Sequence, residues 1–127
     1  MLLGKKLAEN LTISVVIPVF NGAETVPSLI NMLEKISIPG GMEVILVNDG
    51  SEDDSAQICD SLVETSTLPI TFIDLARNFG EHNAVLTGLR YARGDYVITM
   101  DDDLQQPADE ISKIHAYAQE TDLVAVF

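Results

Sequence analysis

Three consecutive carboxylates, Asp101, Asp102 and Asp103, are the residues of this sequence with the most evident chemistry. They follow an apolar, β-branched segment, and the amide of Gln105 comes two residues later. Adjacent carboxylates repel one another, so such a cluster is costly unless a cation neutralises it. Their oxygens suit Mg2+ or Mn2+. The cluster therefore predicts a divalent metal site, with a solvated acidic turn before the next helix as the alternative.

The spacing of the acidic segment predicts unequal roles for its members. Alternate side chains of an extended segment point the same way. Asp101 and Asp103 can then face one ion with Gln105 nearby, while Asp102 faces elsewhere. The predicted metal ligands are therefore Asp101, Asp103 and Gln105.

Polar residues also follow the three earlier apolar segments. Asn21 and Glu24 follow the first, and a turn with a helix start explains them about as well as ligand binding does. Asp49 follows the second, where a carboxylate can accept hydrogen bonds from a nucleobase or a ribose hydroxyl. Arg77 begins a loop after the third, and its fixed positive charge suits a diphosphate.

Other polar residues near these segments have ordinary structural explanations. Ser51 and Asp54 have the spacing of a capping box at a helix start. His82 is left without a role, because histidines in such loops are more often on the surface than in catalysis.

Apolar spacing predicts the elements that position these residues. Five short segments are typical of strands, and residues at helical spacing follow the first four. This alternation predicts one α/β domain with a mostly parallel sheet, whose ligands bind beyond the carboxyl ends of the strands. The predicted strands are 13–19, 43–47, 70–73, 96–100 and 123–127, and the apolar helix positions are Val26, Leu29, Ile30, Leu33 and Ile36, then Ile58, Leu62 and Val63, then Val85, Leu86 and Leu89, then Ile111, Ile114 and Ala118.

Composition fits a single acidic domain. The 127 residues include 7 Lys and Arg against 20 Asp and Glu, giving a formal net charge of -13. This charge repels phosphate backbones and argues against nucleic-acid binding. A single cysteine, Cys59, cannot form an internal disulfide and fits a cytoplasmic setting. The sequence predicts no membrane span, and residues 1–12 lack the core of a secretion signal.

Motifs at the predicted strand ends resemble those of glycosyltransferase family 2, whose members have the GT-A fold, over residues 13–127. Within the family, the resemblance is greatest to the polyprenyl-phosphate (dolichol- and undecaprenyl-phosphate) glycosyltransferases. It implies an N-terminal extension, 1–12, before the nucleotide-sugar-binding part of a truncated, Rossmann-like α/β/α sandwich. The motifs are Ile17-Pro18-Val19-Phe20-Asn21, Asn48-Asp49-Gly50-Ser51, Leu75-Ala76-Arg77-Asn78-Phe79-Gly80 and Asp101-Asp102-Asp103-Leu104-Gln105-Gln106-Pro107.

The resemblance implies roles for the candidate residues. The acidic motif of this group is usually Asp-x-Asp-x-Gln, which maps onto Asp101, Asp103 and Gln105 as ligands on the metal or diphosphate side. The residues expected to line the nucleotide-sugar site are Pro18, Phe20, Asn21, Glu24, Asp49, Arg77, Asp101 and Asp102.

The implied reaction is inverting attack of a lipid-phosphate oxygen on the anomeric carbon of a UDP- or GDP-sugar. That oxygen is already ionised near neutral pH, so a strong base is not required and none is identified. Members of the group continue into a second half that contacts the acceptor. The chain would then supply donor and metal binding at the cytoplasmic face of a membrane, and transfer sugar poorly or not at all alone. Its apolar end, 123–127, predicts a homodimer or a partner that supplies the missing half.

Alternative functions come from other classes. A noncatalytic nucleotide-binding or interaction module, from a truncated or split gene, fits the same residues. A signalling receiver domain has a similar length and an acidic metal site, but its acidic pair follows the first strand, where this sequence has Phe20 and Asn21. A Rossmann dehydrogenase and a P-loop enzyme are disfavoured because their glycine-rich motifs are absent from the sequence.

Overall fold

The computed structural model describes residues 2–3, 11–103, 107–121 and 125–126 of the chain. Strands and helices alternate along it, as the apolar spacing predicts. No helix in these ranges is both long and apolar enough to cross a bilayer. The strands are β1 (Leu2–Leu3), β2 (Ile13–Val19), β3 (Met42–Asn48), β4 (Ile70–Asp74), β5 (Tyr96–Thr99) and β6 (Ala125–Val126), and the helices are α1 (Val26–Glu34), α2 (Ser55–Thr65), α3 (Glu81–Leu89) and α4 (Pro107–Thr121).

The sheet contains six strands in the order β4-β3-β2-β5-β1-β6. The four longer strands are parallel, with Val15 of β2 opposite Val44 of β3 and Ile98 of β5. The order reverses at β2, because β3 lies on one side of it and β5 on the other. A reversal of this kind opens a crevice beyond the carboxyl ends of the strands, where ligands bind in such sheets.

The two ends of the sequence differ from the expectation. Leu2–Leu3, expected in an extension, forms strand β1, which pairs antiparallel with β5. The predicted fifth strand over 123–127 is represented by Ala125–Val126, which pairs antiparallel with β1. Residues 122–124 and 127 lie outside the described ranges. Apolar spacing identifies a strand but carries no information on its direction.

The two faces of the sheet carry different helices. The larger core lies between the sheet and α1, α2 and α4. Only α3, among the described helices, contributes to the core on the other face, through Ala84. Gly88 lies so close to the sheet that an added Cβ would be 2.5 Å from Cγ1 of Val16. Leu86, one of the predicted apolar positions of this helix, is 47% exposed, and α3 packs on the sheet through Ala84, Gly88 and the partly buried Leu89.

Cys59 in α2 is fully buried. Burial raises the pKa of its thiol to about 12, and the charges of Asp74, Asp102 and Asp53 act in the same direction. The thiolate is the reactive form, so we expect a disulfide reagent to label Cys59 only as the chain unfolds. The shift also lowers the free energy of unfolding above about pH 8.5, because the unfolded chain loses this proton first. The labelling rate is measured with and without urea. Rapid labelling of the folded chain would contradict the expected protection of Cys59.

Candidate functional site

The loops that follow β2, β3, β4 and β5 meet at the carboxyl edge of the sheet, as the sequence predicts. Hydrogen bonds cross from each loop to the next. The backbone N–H of Phe20 donates to Oδ2 of Asp102 at 3.2 Å, which joins the loops after β2 and β5 across the reversal of strand order. The backbone N–H of Asn21 donates to Oγ of Ser51 at 2.9 Å, which joins the loops after β2 and β3.

Asn21 is the centre of the contact between the loops after β2 and β3. Its φ is 51°, a left-handed conformation that asparagine tolerates better than most residues. Its Oδ1 accepts a hydrogen bond from the backbone N–H of Glu52 at 2.9 Å. The next residue, Gly22, donates its N–H to Oγ of Ser55 at 2.9 Å. Asn21 therefore shapes the edge through its backbone and its side chain.

The capping box predicted for Ser51 and Asp54 is wrong. Helix α2 begins at Ser55, and its N-cap Asp54 makes no side-chain capping bond. Oγ of Ser51 instead donates to Oδ1 of Asn48. Asp53 accepts hydrogen bonds from the hydroxyl and the backbone N–H of Ser55, and the first of these is the main cause of its lowered pKa. The polar residues of this loop thus serve loop-to-loop contacts as well as the helix start.

Asp49 lies at the end of β3 with only 3% of its surface exposed. Its Oδ1 accepts a hydrogen bond from the backbone N–H of Phe79 at 2.8 Å, and its carbonyl accepts one from Nδ2 of Asn78 at 3.1 Å. Gly50 follows with a φ of 69°, and a Cβ there would lie 2.2 Å from the backbone nitrogen of Asn78. Asp49 and Gly50 therefore hold the loop after β4 against the loop after β3, a role that the sequence did not reveal.

The other residues expected near a nucleotide differ in exposure. The ring of Phe20 is half exposed, Glu24 is exposed just before α1, and Pro18 is buried within β2. Arg77 is exposed, and its guanidinium carbon lies 4.8 Å from the centroid of the Phe79 ring. Among the described residues, the edge thus presents the half-exposed rings of Phe20 and Phe79 and the cation of Arg77.

Exposure alternates along the acidic segment after β5. Asp101 and Asp103 are exposed, while Asp102 is half-buried and accepts the N–H of Phe20. Burial is the main cause that raises the pKa of Asp102, and the charges of Asp103 and Asp101 add to it against the lowering effect of the Phe20 N–H. Gln105, the third predicted metal ligand, lies outside the described residues.

Glu81, the first residue of α3, lies against the acidic segment, a contact that its sequence context does not predict. Burial and then the charge and hydrogen bond of Asp101 raise the pKa of Glu81. Glu81, Asp101 and Glu110 line a cavity of about 410 Å³ beside β5. An acidic residue at a helix start is ordinarily explained by its interaction with the helix dipole. The signal in the sequence that Glu81 belongs to the site is its place directly after a strand-end loop. The cavity is also lined by His82, Val85, Met100 and Ile114.

The carboxylate oxygens of the acidic segment fit a divalent cation that a bound ligand also coordinates. Asp101 and Asp103 offer exposed carboxylates, and the raised pKa values of Asp102 and Glu81 reflect crowded negative charge as well as burial. Within the described ranges, no three Asp, Glu, His or Cys side chains are grouped so as to hold a metal by themselves. Mg2+ is commonly bound by one or two carboxylates plus substrate phosphates and water. Two protein carboxylates are therefore sufficient if a diphosphate supplies further oxygens.

The chain resembles a large family of known sequences. The model of glycosyl transferase family 2 matches residues 14–127. The undecaprenyl-phosphate 4-deoxy-4-formamido-L-arabinose transferase of Pseudomonas savastanoi pv. phaseolicola is 40% identical over 110 residues, and that of Shewanella sediminis is 38% identical over 110 residues. Each alignment covers 85% of this chain and 33% of the relative. The chain thus spans about a third of the length of these relatives.

Solved structures share the fold. TarS 1-349 of S. aureus in complex with UDP-GlcNAc has a TM-score of 0.71 and 25% identity, with 87% of this chain and 32% of that chain covered. The mannosyltransferase PcManGT of Pyrobaculum calidifontis, in complex with GDP-Man and Mn2+, has a TM-score of 0.76 and 22% identity, with 91% and 34% covered. Together with the family match, this GT-A-type architecture confirms the resemblance that the motifs indicated. The chain belongs to glycosyl transferase family 2.

Proposed function

We propose that this chain forms the donor-binding part of a metal-dependent, inverting glycosyltransferase that transfers a sugar from a UDP- or GDP-sugar to a polyprenyl phosphate. The observation that carries the proposal is the linked edge at the reversal of strand order, where the acidic segment is hydrogen-bonded to the loop after β2. The names of the curated relatives, which specify an undecaprenyl-phosphate acceptor, support the acceptor class.

The nucleoside diphosphate would lie along this edge. Its base end would approach Phe20 and Asp49, and its diphosphate would approach Asp101 and Asp103. Arg77 offers a positive charge beside this path, in a chain whose formal net charge is -13. A surface with this much negative charge repels a diphosphate. A cation bound between the carboxylates and the diphosphate removes this repulsion.

The metal would be held by Asp101 and Asp103, with Gln105 as the third predicted ligand. Bound there, a divalent cation would stabilise the negative charge that develops on the departing nucleoside diphosphate. Asp102 has a different task, because it accepts the N–H of Phe20 and thereby fixes the acidic segment to the loop after β2.

In the proposed reaction, an acceptor phosphate oxygen forms a bond to the anomeric carbon as the bond from that carbon to the diphosphate oxygen breaks. The phosphate oxygen is ionised near neutral pH, so the chain need not supply a strong base. Because the chain spans about a third of its relatives, we expect the 127 residues to bind the donor and to need the rest of such a protein for transfer. A polyprenyl acceptor would place the reaction at the cytoplasmic face of a membrane.

Calorimetric titration tests the donor and the metal together. We expect one of UDP-glucose, UDP-GlcNAc and GDP-mannose to bind the chain with Mn2+ present and to lose that binding in EDTA. The change Asp103→Asn should weaken metal-dependent binding by about tenfold or more, since one charge-assisted contact contributes about 1.5–3 kcal/mol. Asp60→Asn, at an exposed position of α2, is the matched control and should leave the affinity unchanged.

Three results would contradict the proposal. Binding that survives EDTA would argue against the metal, and equal affinity in Asp103→Asn would argue against the assigned ligand. Failure of the folded chain to bind any of the three donors would favour a noncatalytic interaction module.

A further inference from the structure

Phe79 combines exposure with a fixed backbone. Its side chain is 43% exposed at the carboxyl edge of the sheet. Its backbone N–H donates to Oδ1 of Asp49 at 2.8 Å, and its carbonyl accepts a hydrogen bond from Nδ2 of Asn83 at 2.7 Å. The residue is therefore held from β3 on one side and from α3 on the other.

The rest of the loop is equally constrained. Asn78 donates from Nδ2 to the carbonyl of Asp49 and accepts the N–H of Gly80 at Oδ1, at 3.1 Å in each case. The backbone at Asn78 packs directly on Gly50, where even a Cβ would not fit. Because Phe79 belongs to so constrained a loop, the backbone that carries its exposed ring has a defined position on the edge.

The ring of Phe79 is also placed for a planar ligand. The guanidinium of Arg77 lies 4.8 Å from the ring centroid, so a flat cation already uses this ring as a contact surface. The loop follows β4, and the acidic segment follows β5, three strands away in the sheet. The backbone of Phe79 is hydrogen-bonded to Asp49, which the base end of the proposed donor would approach. An exposed aromatic ring beside Asp49 suits a base rather than a phosphate.

We infer that the ring of Phe79 is the surface on which the nucleobase of the donor stacks, and that Asp49 is the positioning residue that holds the ring there. This inference rests on the proposed nucleotide-sugar donor. Phe79 is separate from Phe20, which the family motif already places near the nucleotide. Stacking tolerates any base, because every nucleobase has an aromatic face, so Phe79 adds affinity without selecting uracil or guanine.

Binding of UDP, GDP and inorganic pyrophosphate, each with Mn2+, separates the base from the diphosphate. We expect Phe79→Ala to weaken UDP and GDP binding by about tenfold, within the usual range for one stacked base. Phe79→Tyr should retain most of the affinity, and pyrophosphate should bind all three chains equally. A change that merely disturbed the fold would weaken pyrophosphate binding as well.

A tryptophan in place of Phe79 provides a direct optical test, since the chain contains no other tryptophan. Fluorescence of Phe79→Trp should be quenched by UDP with Mn2+ and should not respond to pyrophosphate. Tyr91→Trp is the control, because Tyr91 is 52% exposed just after α3, near the opposite edge of the sheet, and should respond to neither.

The outcomes distinguish this inference from the proposed function. If the unaltered chain binds UDP or GDP and Phe79→Ala binds them equally well, stacking on Phe79 is wrong while the donor site stands. Quenching of Tyr91→Trp to the same extent as Phe79→Trp would also overturn the inference. If the unaltered, folded chain binds neither nucleotide, both the inference and the proposed function fail.

Discussion

Gly50→Ala should lower the free energy of unfolding by about 3 kcal/mol, and Gly50→Val should prevent folding. Gly50 has a φ of 69°, which costs a residue with a Cβ about 1–2 kcal/mol. That Cβ would also lie 2.2 Å from the backbone nitrogen of Asn78 and 2.5 Å from the carbonyl carbon of Arg77. Backbone atoms cannot avoid the collision by a change of rotamer, as a side chain can. The loops after β3 and β4 must therefore separate, at a further cost of about 1–3 kcal/mol. Urea denaturation of each variant gives the measurement.

Gly80→Ala is the matched control for this prediction. Gly80 has a φ of 97°, but a Cβ there would meet no atom within 4 Å. Its replacement should therefore carry the conformational cost without the collision, and destabilise the chain less than Gly50→Ala does. Equal losses at the two positions would show that the contact between Gly50 and Asn78 does not contribute.

Glu43→Ala should destabilise the chain by about 2–6 kcal/mol, because the Ser14 hydroxyl and the Arg93 backbone N–H each lose an acceptor, at about 1–3 kcal/mol per donor. Glu43 is 1% exposed within β3. Its carboxylate accepts hydrogen bonds from Oγ of Ser14 at 2.6 Å, from the backbone N–H of Arg93 at 2.7 Å and from the Arg93 guanidinium at 3.1 and 3.2 Å. The change to Ala leaves these donors facing a cavity. A buried donor without a partner costs more free energy than its hydrogen bond contributed to stability.

Two further variants separate the parts of this cluster. Arg93→Met removes only the guanidinium, whose side chain is 58% exposed, while the Glu43 carboxylate keeps its hydrogen bonds from Ser14 and from the Arg93 backbone. The loss should therefore be smaller than that of Glu43→Ala. Glu43→Gln keeps the shape but replaces one acceptor oxygen with a donor, so it should fall between the two. Thermal unfolding of the three proteins ranks them, and an Arg93→Met loss as large as that of Glu43→Ala would show that the ion pair dominates instead of the buried bonds.

Much of the fold follows from local pattern. The strand segments 13–19 and 96–100 and the four helices are indicated by apolar spacing alone, and alternation then predicts a parallel sheet. The rule that ligands bind beyond the carboxyl ends of parallel strands predicts Asn21, Asp49 and Asp101 on one edge from the sequence alone. The strand at Leu2–Leu3 and the direction of β6 could not be predicted, since two apolar residues form too short a pattern and can pair either way.

The contacts that build the edge could not be predicted. Asp102 and Phe20 are 82 residues apart, and Asp49 and Phe79 are 30 apart, so neither bond leaves a signal in local spacing. Local rules also failed where tertiary contacts competed with them. Ser51, which fits a capping box by spacing, instead bonds across the edge.

The bonds from Phe20 to Asp102, from Asn21 to Ser51 and from Phe79 to Asp49 cross every gap between the four parallel strands. Much of the conformational entropy of these loops is therefore lost when the chain folds and not when a ligand arrives. A preorganised surface keeps more of its contact energy as affinity. Loosening of the edge at Asp102 would then raise the entropic cost of binding along the whole edge, without the removal of a single ligand contact.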